Sequence, residues 1–408
     1  MSEPDVSALL TVAQAIEILD RTVVGPRVVE VRLEDAVGLR LAEELRADRD
    51  YPPFDKSLMD GYAVRAADVG TGGVELRLVG EVAAGVSPVR AVGAGECVAI
   101  MTGAPLPAGA DGVVPVEEAE QAGHVVRIKQ ADAPGRYIAR RGVDLLAAQV
   151  VLEKGQLIGP AQVAAAATVG AARVKCFARP RAGVLATGDE LVAIGDMPGA
   201  AQIRNSNSPM LCALLTELGC EVTDLGVARD EPAALRSALE RGLEQDVLFV
   251  SGGMSMGAYD YVPRVLGELG VEAHVTKLRI KPGKPFLFGT REAGGRTTHV
   301  FGLPGNPVSG YVCTVRLAAR VLQRLAGGRV EEQWVTAKLA TPLPANGPRE
   351  FYQPVRLEVG PGETVAWPLA WKGSADLFTL AKAQGLLVRG ENEPAREAGA
   401  AVRVFELP

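Results

Sequence analysis

The stretch from Asp246 to Ser309 constrains this chain more than any other, because it holds two apolar runs that each stop at glycine. Asp246-Val-Leu-Phe-Val250 reads as a buried strand that ends at Ser251-Gly252-Gly253-Met254-Ser255-Met256-Gly257, with a helical pattern starting at Asp260. In open α/β sheets ligands gather where strands end, and glycine lets the backbone come close to them. The second transition is Val300-Phe-Gly-Leu-Pro304-Gly305-Asn306-Pro307-Val308-Ser309, where Asn306 can cap a helix with Pro307 in its first turn. Such a helix start aims backbone N–H groups at whatever lies above it. Between the two comes Lys277-Leu278-Arg279-Ile280-Lys281-Pro282-Gly283-Lys284. A period of two puts Lys277, Arg279 and Lys281 on one face and Leu278 and Ile280 on the other. The row reads either as a sheet edge guarded by charge or, with Lys284 brought in through a tight turn, as a receptor for a polyanion. Spacing alone leaves both open.

At 408 residues the chain exceeds one ordinary core, so two to four domains are expected. A net charge of -6 excludes a general nucleic-acid binder, so any attraction of an anion must be local. Five scattered cysteines without CxxC spacing read as reduced thiols of a cytoplasmic protein. With only His124, His274 and His299 available, a zinc site or a histidine-centred triad has little material. The acidic start lacks a signal-peptide core, and the alanine-rich run from Ala161 to Ala172 is too short to span a bilayer, so no membrane partner is expected.

Val6 to Leu19 carries helical spacing, and Glu34 to Leu45 resembles a second helix. From Tyr51 to about Asp144 short β-like runs alternate with Gly and Pro, which predicts a small β domain, and Ala161 to Ala171 looks helical again. From Arg181 strand and helix patterns alternate, predicting a parallel α/β domain with strands over 183–186, 221–227 and 246–250. One of its helices starts near Ser206 and ends by Gly219, and another follows Asp230-Glu231-Pro232. After Gly327-Gly328 the spacing becomes β-like once more, with Pro342, Pro344, Pro348 and Pro354 in turns, and predicts a separate all-β carboxy-terminal domain.

Asp189, Glu190, Asp230 and Asp260 all fall where a predicted strand gives way to a helix, and parallel connectivity would bring those ends to one sheet edge. Carboxylates beside a polyanion make sense with Mg²⁺ between them, since that ion takes one or two carboxylates plus phosphate oxygens and waters. Asp230, just before Glu-Pro, is equally a helix N-cap, whereas the glycine-punctuated turn before Asp260 favours function. Asp55, Ser57 and Asp60 lie in one glycine-punctuated loop and Thr102 in another; alone they read as turn formers. Arg136, Arg140 and Arg141 read, as a group, as a solvated surface.

Six ordered motifs together resemble the molybdopterin molybdenumtransferase (MoeA) family, which includes the E domain of gephyrin. They are Phe54-Asp-Lys-Ser-Leu-Met-Asp-Gly-Tyr-Ala63, Met101-Thr-Gly-Ala-Pro-Leu-Pro107, Thr187-Gly-Asp-Glu-Leu191, Ser251-Gly-Gly-Met-Ser-Met-Gly-Ala-Tyr-Asp260, Ile280-Lys-Pro-Gly-Lys-Pro285 and Gly302-Leu-Pro-Gly-Asn-Pro307. Arg349-Glu350-Phe351 and residues 373–386 extend the likeness to the last domain. The resemblance implies the last step of molybdenum cofactor synthesis, in which AMP is cleaved from adenylylated molybdopterin with a divalent metal, taken as Mg²⁺, and molybdate is inserted at the dithiolene. It implies an elongated four-part homodimer whose active site forms between the α/β domain of one subunit and the small β domain of the other. The expected parts are an N-terminal linking domain (1–50 and 145–178), a small β insertion domain (51–144), a molybdopterin-binding α/β domain (179–327) and a barrel-like β domain (328–408).

Carried over position by position, the catalytic set is Asp60, Thr102, Glu190, Asp230, Asp260, Lys277 and Lys281, with Glu190, Asp230 and Asp260 holding the metal. The substrate set is Ser251, Gly252, Gly253, Ser255 and Lys284, the turn Pro304, Gly305, Asn306 and Pro307, and Arg140 or Arg141 for the oxyanion. Lys56 and Leu58 stand where the family carries Asn and Ala, Met254 and Met256 where valine is commoner, and Ala139 interrupts the arginine run. A molybdopterin adenylyltransferase upstream and molybdoenzyme maturation factors downstream are the implied partners. The competing readings are adenylyltransferase-like nucleotide chemistry in the α/β domain and a non-catalytic scaffold.

Overall fold

Val247–Ser251, the strand expected at 246–250, is buried at every position and lies inside a six-stranded sheet, as a continuous apolar run requires. The computed structural model of the chain describes residues 9–70, 73–130, 135–254 and 261–407. They form two units: Met1–Glu30, Leu39–Ala42 and Lys175–Pro408 make one, and Val31–Gly38 with Glu43–Val174 the other.

In the first unit Val247–Ser251 pairs in parallel with Arg181–Thr187 on one side and Arg296–Leu303 on the other, and Glu221–Ala228 extends the parallel set. Pro285–Ala293 and Glu272–Lys277 complete the sheet antiparallel, beside the parallel strands expected of an α/β domain. The cause is the two-residue link Gly294-Gly295, at φ 59° and 72°, which closes a hairpin and is far too short for a parallel crossover. Phe249, Phe286, Phe288 and Phe301 fill the core, with the Phe301 ring centroid 5.2 Å from Phe249 and 5.1 Å from Phe288. Helices Asn207–Glu217, Pro232–Gly242, Val262–Glu268 and Pro307–Cys313 follow the strands, the last continuing through a π-helical turn, Thr314–Ala318, into Ala319–Leu325. The amino-terminal helix Val12–Arg21 starts on a capping box, in which Thr11 Oγ1 accepts from Gln14 N at 3.1 Å and Gln14 Oε1 from Thr11 N at 2.9 Å. Its Val12, Ala15 and Leu19 are buried in the same core. No helix among the described residues is long and apolar enough to cross a membrane.

The cation row alternates as its spacing demands: Leu278 and Ile280 are buried, Lys277 and Arg279 half-buried, Lys281 exposed. Glu272–Lys277 is an edge strand of the sheet, so the charged-edge reading holds for Lys277 but not for Arg279 and Lys281, which lie beyond it. Ile280–Lys281 leaves that sheet and pairs with Glu350–Phe351 of the carboxy-terminal domain. That domain closes as a barrel: Glu350–Gly360, Glu363–Pro368, Trp334–Leu339, Ala401–Glu406 and Gly385–Arg389 return to Glu350–Gly360, leaving no free edge within the ring. Pro354, expected in a turn, lies inside the first of these strands, its carbonyl accepting from Leu369 N at 3.0 Å.

Two devices hold this unit together and are testable. Arg316 and Arg320 both donate to the Glu332 carboxylate, while Arg316 Nε donates to the Tyr352 hydroxyl at 2.8 Å; the three charged side chains are 11, 13 and 22% exposed. Glu332→Gln takes the hydrogen-bonded carboxylate from buried Arg316 and leaves Arg320 with Asp20 alone, and is expected to cost about 3 kcal/mol. Denaturant unfolding measures this, and a loss under about 1 kcal/mol would show the pairs to be nearly neutral.

His299 is fully buried, its Nε2 lying 3.3 Å from Val23 O, and its Nδ1 has no partner among the described residues. Burial pushes its pKa below 6.5, outweighing the Val23 and Asp246 carbonyls. Below about pH 6.5 the unfolded chain therefore binds a proton that the folded chain refuses, so this contribution to stability falls as pH drops from there until the folded imidazole also charges. Melting temperature should fall between pH 7.5 and 5.5, and His299→Gln should flatten that dependence; equal slopes would clear His299.

In the second unit a six-stranded sheet runs Gly112–Pro115, Gly61–Val64, Glu96–Ile100, Val74–Val82, Val125–Ile128, Ala119–Ala122. Gly61–Val64 is buried at all four positions, with Tyr62 and Val64 in one apolar cluster and Ala63 in another, as a two-sided strand must be. Helix Pro160–Thr168 matches the one expected over 161–171. The helix expected over Glu34–Leu45 is instead one 3-10 turn, Leu33–Ala36, followed by short strands, because Gly38 at φ 80° ends the turn.

Candidate functional site

The carboxyl ends of all four parallel strands open onto one cleft of about 900 Å³. Thr187, Gly188 and Glu190 come from the end of Arg181–Thr187, Asp230 from just beyond Glu221–Ala228, Ser251-Gly252-Gly253 from Val247–Ser251, and Pro304 to Pro307 from Arg296–Leu303. This is where doubly wound sheets place their ligands.

One side chain ties the two glycine turns together. Asn207 Nδ2 donates to Ser251 Oγ at 2.8 Å and to Gly305 O at 2.7 Å. Asn207 Oδ1 and the hydroxyl of buried Thr187 have no partner among the described residues, so the floor keeps unspent hydrogen-bonding capacity. Asn205 lies two residues before the helix Asn207–Glu217, its Oδ1 accepting from Ser208 N at 3.1 Å and its Nδ2 donating to Ser208 Oγ at 2.9 Å. Gly252 N donates to Leu303 O at 3.1 Å, which binds the first turn to the strand of the second. Met254 packs on Gly302, where any Cβ would stand 2.5 Å from its sulfur.

Asn306 does occupy the cap position of its helix, where its carbonyl accepts from Gly310 N at 3.2 Å, and Pro307 follows in the first turn. The side-chain cap is absent: Val308 N, in the first turn, donates instead to Ser374 O at 3.1 Å, and Asn306 Nδ2 donates to Ser374 Oγ at 2.9 Å. Asp230 is not a cap either: Glu231 holds that position, and Asp230 lies on the cleft wall with its amide donating to Asp189 Oδ1 at 3.4 Å.

Asp260 and Ser255 lie outside the described residues. Of the expected metal set, Glu190 and Asp230 share the cleft, and hard carboxylate oxygens on a wet wall are the donors that Mg²⁺ accepts. No group of three potential ligands stands close enough for a metal among the described residues. Lys277, Lys281 and Lys284 are not on the cleft lining. Lys277 pairs across the ladder with Pro285, which is, while the Lys281 ammonium sits 4.7 Å from the centroid of the Phe351 ring. Arg279 is spent on structure, bonding Glu391 at 3.0 Å and Leu9 O at 2.9 Å.

The second unit brings Asp60 and Thr102 together, with Thr102 N and Oγ1 donating to one carboxylate oxygen at 2.6 and 2.7 Å. Those two bonds, the amide foremost, hold the Asp60 carboxyl below its usual range. Ser57 is buried and donates to Met59 O at 2.6 Å, a turn-forming role. Arg140 and Arg141 are each paired, with Asp55 and Asp50 respectively, at 2.6 Å.

Family models cover nearly the whole chain. The MoeA N-terminal region (domain I and II) matches residues 10–170, a probable molybdopterin binding domain 183–324, and the MoeA C-terminal region (domain IV) 336–407. A molybdopterin molybdenumtransferase from Synechocystis is 33% identical over 96% of this chain and 98% of its own, and one from Mycobacterium tuberculosis 34% identical over 90 and 91%. The chain belongs to the molybdopterin molybdenumtransferase family.

The solved structure of a molybdopterin biosynthesis MoeA protein from Pyrococcus horikoshii, 32% identical, superposes with a TM-score of 0.86 over 98% of this chain and 99% of that one. Membership makes the chain a transferase of molybdenum cofactor biosynthesis. The match to a probable molybdopterin binding domain, residues 183–324, includes the carboxyl ends of all four strands that open onto the cleft. Thr187, Asn207 and Phe378 on the cleft wall were not singled out from sequence. For Asn207 a signal was present, since Asn205-Ser206-Asn207 opens a helix directly beneath two glycine turns.

Proposed function

We propose that this protein inserts molybdate into adenylylated molybdopterin and releases AMP. The observation that supports this reading is the single cleft on which Glu190, Asp230 and the turns Ser251 to Gly253 and Pro304 to Pro307 meet. Gly252, Gly253 and Gly305 leave those stretches of the cleft wall without side chains, and Asn207 and Thr187 retain capacity to orient a phosphate there. Glu190 and Asp230 would hold Mg²⁺, with Asp260 as the third expected ligand. The ion would neutralise charge on the phosphoanhydride bridge, since phosphoryl chemistry needs mostly positioning and charge neutralisation. Lys277, Lys281 and Lys284 are proposed to attract molybdate and the phosphates. The protein is further taken to act in the cytoplasm as a homodimer supplied by a molybdopterin adenylyltransferase, a part of the proposal that the family resemblance alone supports.

The test is direct. Purified protein incubated with adenylylated molybdopterin should release AMP only when molybdate and Mg²⁺ are both present; substrate left intact under those conditions would sink the reading.

A further inference from the structure

We infer that Phe378 is a substrate-contacting residue: a stacking face, at the mouth of the cleft, for one of the flat nitrogen heterocycles of the substrate. The inference rests on the reading of the cleft just given.

Phe378 is 84% exposed, the most exposed phenylalanine among the described residues, yet it lines the cleft. It makes no ring contact with another described residue. An aromatic ring gains by leaving water, so one held in water on a ligand cleft presents a face awaiting a partner.

The ring is also held in place. It sits on the short helix Leu377–Leu380, which the Asp376 carboxylate caps by accepting from Thr379 N at 3.1 Å and Thr379 Oγ1 at 2.8 Å. The same carboxylate accepts from Lys372 N at 2.9 Å, and Leu380 is buried beneath. Just upstream, Ser374 O accepts from Val308 N at 3.1 Å and Ser374 Oγ from Asn306 Nδ2 at 2.9 Å. The segment that carries Phe378 is thereby fastened to the Pro304–Pro307 turn.

The chemistry of the walls then divides. Glu190, Asp230 and the glycine turns form the charged and polar part, while Phe378, Leu377, Ala375 and Pro307 form an apolar part. Adenylylated molybdopterin divides in the same way, with phosphates in the middle and a flat ring, pterin or adenine, at either end. Every such ring has a π-face that an aromatic side chain can stack on without hydrogen-bond readout.

The experiment compares the full chain with Phe378→Ala, Phe378→Leu and Phe378→Tyr, measuring affinity for AMP and for molybdopterin separately by calorimetry. Phe378→Ala and Phe378→Leu should each weaken one of the two ligands by about tenfold, and Phe378→Tyr should restore it. The ligand that weakens identifies the ring. In turnover KM should rise with kcat nearly unchanged. Wild-type affinity of the Ala variant for both ligands, or of the Leu variant for both, overturns the inference. If wild-type protein releases AMP while Phe378→Ala keeps both affinities, only the role of Phe378 falls. If wild-type protein releases no AMP but Phe378→Ala still loses a ring, the insertase reading falls and the stacking face stands.

Discussion

AMP release by the double variant Glu190→Gln, Asp230→Asn is expected to fall by roughly three orders of magnitude, with each single variant losing one to two. The substitutions are nearly isosteric, so they remove charge while keeping volume on the cleft wall. Glu190 is exposed and has no ion pair among the described residues, so its neutralisation should leave the fold undisturbed. If Glu190 and Asp230 hold a divalent ion against the phosphoanhydride, their loss should also abolish the dependence of AMP release on Mg²⁺ concentration. Melting temperature and molybdopterin affinity serve as controls and should stay near wild type. A double variant that keeps a third of wild-type turnover, with unchanged Mg²⁺ dependence, would remove both carboxylates from the metal site.

The strand ends that make the cleft were legible because a buried strand in an α/β sheet must be apolar along its whole length and then stop. Val247–Ser251 does both within a few residues, and the glycines after it mark a backbone conformation that side chains exclude. The alternation from Lys277 to Lys281 was legible for the same reason, since the period of a strand shows in the chain itself. Which sheet each part joins was not: Ile280–Lys281 pairs with a barrel strand that begins at Glu350, a choice made by packing between distant segments. Asn306 was read as a side-chain cap because capping is a local rule, and it failed because Ser374, distant in sequence, supplies a competing acceptor: its carbonyl takes Val308 N at 3.1 Å. Phe378 was illegible in the same way. Nothing in its neighbourhood along the chain says that a short helix of the barrel domain lies on a cleft built by the α/β sheet. Local chemistry can be read residue by residue, whereas convergence has to be folded first.

Gly252→Ala is expected to destabilise the α/β domain by roughly 3 to 4 kcal/mol and to close the floor of the cleft. Gly252 lies at φ 97°, where a side chain is strained whatever the space around it. The added Cβ would also stand 2.4 Å from Thr187 O and 3.0 Å from Thr187 Oγ1. Relief by movement is blocked on both sides. Thr187 ends a strand that is paired along its length with Val247–Ser251, and Gly252 N is itself bonded to Leu303 O at 3.1 Å. Moving either backbone breaks ladder bonds at the point where the strand ends define the site, so a loss of molybdopterin affinity should accompany the loss of stability. Gly195→Ala is the matched control, because it has a permissive backbone and nothing within 4 Å of the added Cβ, and it should unfold with wild-type protein. Denaturant unfolding of the three proteins separates the cases: a Gly252→Ala midpoint indistinguishable from that of Gly195→Ala would mean that the Ser251-Gly252-Gly253 turn is looser than the close approach to Thr187 requires.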